Sequence, residues 1–185
     1  LRDVYKRQTL ELVDPNRRYQ DRDNYVWIQD ADKNGLVVGT QARIFYQDAM
    51  SRTRIALKFN EMVRNGEIGP VMLGRDHHDV SGTDSPFRET SNIKDGSNIM
   101  ADMATQCFAG NAARGMTMIA LHNGGGVGIG KSINGGFGMV LDGSKRVDDI
   151  LWQAMPWDVM GGVARRAWAR NPHSIETVVE YNHDN

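Results

Sequence analysis

Eight of the chain's 20 glycines fall between positions 124 and 138, beginning in the run Leu121-His122-Asn123-Gly124-Gly125-Gly126-Val127-Gly128-Ile129-Gly130-Lys131-Ser132. Backbone this bare tolerates left-handed conformations and lets a ligand come close to the amides. Residues 125–132 also satisfy the G-x-x-x-x-G-K-[ST] spacing of a phosphate-binding P-loop, with residues 116–122 as the preceding strand. A P-loop lysine, however, must open a helix whose first amides hold the phosphates. Here Ile133-Asn134-Gly135-Gly136 follows, and paired glycines are poor helix formers. Phe137-Gly138-Met139-Val140-Leu141-Asp142 then reads as a second buried strand. The pattern predicts strand, glycine loop, strand, with exposed amides facing an anionic or planar ligand. A P-loop-like nucleotide-binding domain is the alternative. A plain surface loop is a third reading, opposed by the apolar strands that would anchor both ends.

The 185 residues, 40% hydrophobic, suffice for one domain with a real core. With 22 basic and 23 acidic side chains the net charge is −1, so no long-range field would gather nucleic acid or an anionic membrane. No window approaches the ~20 apolar residues of a membrane span, and no signal-peptide pattern opens the chain; a cytoplasmic protein is expected. The single cysteine, Cys107, excludes an internal disulfide and a thiolate-based zinc site within this chain. It falls in a helical run, residues 101–113, and reads as a packed core thiol. Leu1 is not a start methionine, and residues 1–23 are charged and without period. They read as a linker or a non-native segment, and the chain as a fragment.

Along the chain, Tyr25-Val26-Trp27-Ile28 and residues 36–46 carry the aromatic and β-branched residues of strands, separated by turn chemistry at Asp32-Lys33-Asn34-Gly35. Ile55, Phe59, Met62 and Val63 recur at helical spacing within residues 49–65, and Asn65-Gly66 supplies a C-cap. Residues 70–73 read as a short strand delivering a polar cluster at its C-terminal end, where α/β sheets bind ligands. Residues 81–96 are loop, and a helix runs on to about residue 113. Helices follow over residues 147–154 and 157–170, interrupted at Met155-Pro156, and over residues 174–181 after Asn171-Pro172. Alternation of strand and helix predicts an α/β layer with a largely parallel sheet and flanking helices.

The polar cluster is Gly74-Arg75-Asp76-His77-His78-Asp79. Adjacent histidines in extended backbone point to opposite faces, so they are poor joint ligands, and no metal is predicted. General acid and base work suits it better, because a carboxylate beside a histidine sets the imidazole's tautomer and proton affinity. A loop that merely caps its own turns is the structural alternative. In Ser85-Pro86-Phe87-Arg88-Glu89-Thr90, the planar fork of Arg88 suits a small carboxylate ligand, unless it only pairs with Glu89 or Asp84. Asn123 and Asn134 bracket the glycine loop and could grip an amide-bearing ligand.

Residues 74–90 and 121–128, then Asn134-Gly135-Gly136-Phe137-Gly138-Met139-Val140-Leu141-Asp142-Gly143 and Gly162-Val163-Ala164-Arg165-Arg166, strongly resemble the C-terminal portion of the urocanase family. The likeness runs in consistent order over residues 39–172. It implies that residues 24–185 are the C-terminal part of the urocanase core domain, in which water adds to urocanate to give imidazolone propionate. It also implies a tightly held NAD+ that serves as an electrophile, not a hydride carrier, and a homodimer with a dinucleotide-binding unit upstream. Carried over by motif, His122, Asn123, Gly124, Gly125 and Gly126 would lie against the cofactor. Arg88 would hold the substrate carboxylate, and Asp76, His77 and Asp79 would handle protons. Some members place a cysteine after an Ala-Arg-Ile motif, whereas Ala42-Arg43-Ile44 here is followed by Phe45. A domain of this size without its upstream partner would serve as a non-catalytic cofactor-contacting or dimerisation module.

Overall fold

In a computed structural model, the described residues are 11, 12, 14–17, 19–30, 33, 48–74, 101–123, 133–168 and 170–184. In chain order they form α1 (Tyr19–Gln29), α2 (Ala49–Arg64), β1 (Val71–Gly74), α3 (Ala101–Ala113), β2 (Met118–Asn123), β3 (Ile133–Leu141), α4 (Lys145–Trp168) and α5 (Pro172–Asp184).

Helix α2 forms where the apolar spacing predicts it. Asp48 caps its start by accepting the Ser51 amide at 2.7 Å. Its end is closed by Gly66 at φ 73°, with the Glu67 amide reaching back to the Met62 carbonyl at 3.0 Å. Helix α1 replaces the strand expected at residues 25–28. Four apolar residues in a row cannot fix a period, and the buried Asp21 and Ile28 stand two turns apart on one helical face. The run 36–46 lies outside the described residues.

The sheet has the order β1-β3-β2, and both pairings are antiparallel. This corrects the largely parallel sheet expected from the strand–helix alternation. The crossover β1-α3-β2 does leave β1 and β2 running the same way, but β3 turns back as a hairpin and lies between them. The fold remains α/β, with helices packed on one face of the sheet: α3 lies against β2 and β3, α2 against β1 and β3, and α4 against both helices. Phe137, Met139 and Leu141 point inward at alternate positions of β3 and pack with Ala56, Val147, Leu151, Ala154 and Met155, all buried.

Helix α4 runs unbroken through Pro156, where an interruption was expected. An internal proline loses one hydrogen bond and crowds the preceding turn, at about 3 kcal/mol. Leu151, Ala154 and Met155 before it and Asp158, Val159 and Val163 after it are all buried, so packing on both sides holds one axis. Helix α5 starts two residues earlier than expected. Pro172 occupies the first turn, where no amide bond is lost, and Asn171 accepts the Ser174 amide at 3.1 Å.

Candidate cofactor and substrate site at one end of the sheet

β2 and β3 stay paired up to the glycine run, with His122 opposite Asn134 and Asn123 opposite Ile133. The nine-residue segment 124–132, five of them glycine, therefore leaves and re-enters neighbouring strands about 4.8 Å apart. Because β3 continues as a strand from Ile133 through Leu141, no helix opens after Lys131, and the backbone needed by a P-loop is missing. The strand, glycine segment, strand order holds as expected.

β1 and β2 flank β3 and are both antiparallel to it, so their C-terminal ends point to the same end of the sheet. The chain leaves β1 at Gly74, opposite Gly138, directly before the polar cluster, and leaves β2 at Asn123, directly before the glycines. Along β3, Gly138 and Ile133 are five residues apart, about 17 Å. The chain thus enters both segments from strand C-termini that point the same way, though in an antiparallel sheet. Of the residues singled out in the sequence, His122 and Asn123 are the last two of β2. Asp76, His77, Asp79, Arg88, Gly124, Gly125 and Gly126 lie outside the described residues. Among the described residues no cluster of three or more His, Cys, Asp or Glu side chains could hold a metal.

The opposite end of the sheet is pinned by groups the sequence reading missed. Gly143 turns the chain from β3 into α4 at φ 85°, and its amide donates to buried Asn60 Oδ1 at 2.8 Å. Asn60 Nδ2 donates to the Ser144 carbonyl at 3.0 Å and to Asp148 Oδ1 at 2.7 Å. Arg64 Nε donates to the Gly143 carbonyl at 2.7 Å, and its Nη2 pairs with Asp148. At the exposed Asp142 the hydroxyl and amide of Ser144 hold the carboxyl below its usual pKa of 3.8. This lattice fixes the far end of β3 and, through it, the axis of the hairpin that carries the glycines.

A second buried node joins α2, α3 and α4. Asp158 accepts from the Cys107 thiol at 3.1 Å and from Asn111 Nδ2 at 3.0 Å, with Arg52 Nη1 3.7 Å from its other oxygen. Cys107 is buried, as a core thiol should be. Its partner Asp158 sits 51 residues away amid apolar neighbours, so no local spacing could have found the pair.

Residues 3–180 match the family described as Urocanase C-terminal domain, a stretch that takes in residues 3–23. The urocanate hydratase of Mus musculus is 51% identical over 183 residues, covering 98% of this chain and 27% of the relative. That of Homo sapiens is 53% identical over 169 residues, covering 91% of this chain and 25% of the relative. The chain thus spans about a quarter of the length of these relatives. By that family match and by identity over nearly its whole length, the chain belongs to the urocanase family, as its C-terminal domain.

Proposed function

We propose that the full-length protein hydrates urocanate to imidazolone propionate in histidine degradation, as a cytoplasmic homodimer with NAD+ as its cofactor, and that residues 24–185 are the C-terminal part of its core domain. The observation that carries this reading is geometric: the chain leaves β1 toward the polar cluster and β2 toward the glycine segment in the same direction along one sheet, at points about 17 Å apart along β3. Hydration of a small planar acid needs a flat ligand held against bare backbone, a cation for the carboxylate and a proton donor and acceptor nearby. The sequence suits NAD, because the segment 124–132, entered from β2 and left into β3, carries five glycines, and bare backbone lets amides approach a pyrophosphate or a ring face. His122, Asn123, Gly124, Gly125 and Gly126 would hold it, and when bound it supplies the electrophile that prepares the substrate for water.

The chain's own residues then orient and move protons. Arg88 binds the urocanate carboxylate through its planar fork. Asp76, His77 and Asp79 form the group that takes a proton from water and returns one to carbon, each carboxylate fixing the charge state of the neighbouring imidazole. Among the described residues no helix is long and apolar enough to cross a membrane.

Following the loss of urocanate absorbance with the full-length protein and with the 185-residue chain tests this reading. Turnover by the full-length protein alone is the expected result. A full-length protein that binds NAD but leaves urocanate untouched would favour the second reading, a cofactor-contacting or dimerisation module.

A further inference from the structure

Asn65-Gly66, the cap that ends α2, is also a reactive pair. An asparagine followed by glycine can cyclise on its own backbone, because glycine has no side chain to shield its amide nitrogen. Among the described residues the dipeptide occurs twice, at Asn65-Gly66 and at Asn134-Gly135. Their settings differ. Asn134-Gly135 lies within β3, registered against His122 and Leu121 of β2. Asn65, Gly66 and Glu67 are exposed one after another at a helix end. A Cβ built on Gly66 would have no atom within 4 Å, so there is room beside the glycine for a ring to form. The Asn65 side-chain amide donates to the exposed Glu67 carboxylate at 3.3 Å. What restrains the glycine is the cap itself: with Gly66 at φ 73°, its amide donates to the Val63 carbonyl at 3.0 Å and the Glu67 amide to the Met62 carbonyl at 3.0 Å. Such terminal bonds open at the low end of the free-energy scale, whereas paired strands open near its top.

We propose that Asn65 is a self-modifying site, converted to aspartate and isoaspartate through openings of the α2 cap. In the open cap the Gly66 nitrogen gives up its proton and attacks Asn65 Cγ. The new C–N bond closes a five-membered succinimide as the Cγ–Nδ2 bond breaks, and the amide nitrogen takes up the proton and leaves as ammonia. Water then opens the ring at either carbonyl, so one water is consumed and one ammonia released, with no oxidant and no cofactor. The product unfastens what the cap holds. A carboxylate at position 65 faces the negative end of the α2 dipole and stands beside Glu67, where an amide had donated to it. The isoaspartyl form also adds a methylene to the main chain just before Gly66, which shifts the two cap amides off their carbonyls. Arg64, the preceding residue, holds the Gly143 carbonyl and Asp148, so the change reaches the turn that fixes β3.

Peptide mapping by mass spectrometry tests this on the full-length protein held in mildly alkaline buffer at physiological temperature, with the urea-unfolded protein as reference. Position 65 should convert within about tenfold of its reference rate, and position 134 about a hundredfold or more below its own. Equal protection of the two positions would overturn the proposal, as would conversion at 65 that rises with urea as steeply as global unfolding. Two variants test the consequence through hydrogen exchange at the Gly66 and Glu67 amides. Asn65→Asp should speed that exchange about threefold, whereas Asn65→Gln, whose longer side chain cyclises far more slowly, should leave it unchanged and abolish the conversion. Parental exchange in Asn65→Asp would contradict the claim that the modification loosens the end of α2.

Discussion

Replacing Gly143 by alanine places a methyl group against the end of α2. The added Cβ would lie 2.8 Å from the Arg64 amide nitrogen and 2.9 Å from its Cα, both backbone atoms, and φ at this position is +85°. A non-glycine residue in that region costs about 1–2 kcal/mol. Relief requires α2 and the turn to separate, which stretches the Gly143 amide to Asn60, the Arg64 guanidinium to the Gly143 carbonyl, and Asn60 to Ser144. Loosening two such bonds costs about 1 kcal/mol each. Alanine's smaller unfolded-state entropy returns about 0.4–1 kcal/mol. The net destabilisation is about 2–3 kcal/mol, a fall in Tm of about 4–12 °C for a chain of this size. Thermal unfolding followed by far-UV circular dichroism measures it. Gly138→Ala is the control: there the close contacts of the added Cβ are the ends of exposed methionines, which can swing aside, and the Leu73 carbonyl oxygen at 3.5 Å is at ordinary contact distance, so the cost should stay below about 1 kcal/mol. A Gly143→Ala protein within about 0.5 kcal/mol of the parent, or a Gly138→Ala protein equally damaged, would refute the claim that the turn 142–144 is locked to α2.

Other substitutions probe the remaining parts. Asp158→Ala removes the acceptor shared by Cys107, Asn111 and Arg52 and should destabilise by about 3–5 kcal/mol in urea unfolding, whereas Cys107→Ala should cost about 1 kcal/mol. Because the Asp142 carboxyl is held below its usual 3.8, its contribution to stability is present above that pH and is lost as pH falls through the lower folded value. Asp142→Asn should therefore flatten the acid limb of the stability profile below about pH 4, read by urea midpoints across pH. Arg88→Ala in the full-length protein should weaken urocanate binding by about 2–5 kcal/mol, measured by calorimetry, and lysine should restore only part of it. An unchanged affinity would remove Arg88 from the site.

What could be read from the sequence was what local pattern determines. Helix α2 was legible because four apolar residues repeat at its period and Asn65-Gly66 ends it. The strands 70–73, 116–122 and 137–142 were legible to within a few residues as short apolar runs. Their direction was not, since a buried run carries no sign of which way its neighbour points; only the return of β3 between β1 and β2 makes the sheet antiparallel. Pro156 misled because its local cost is outweighed by buried contacts on both sides of it. The Asn60 and Asp158 nodes join residues from 47 positions apart (Asn111 and Asp158) to 106 apart (Arg52 and Asp158), beyond any spacing rule. Of the candidate site, composition alone marks the glycine segment and the polar cluster, and the topology adds that the chain enters both in the same direction along the sheet.

Incubating the full-length protein with urocanate and NAD+ and following both by proton NMR is the most direct test of the central claim. The account predicts that urocanate disappears, imidazolone propionate appears and the nicotinamide remains oxidised throughout. Unchanged urocanate in the presence of saturating NAD+, or reduced nicotinamide accumulating in step with product, would contradict it.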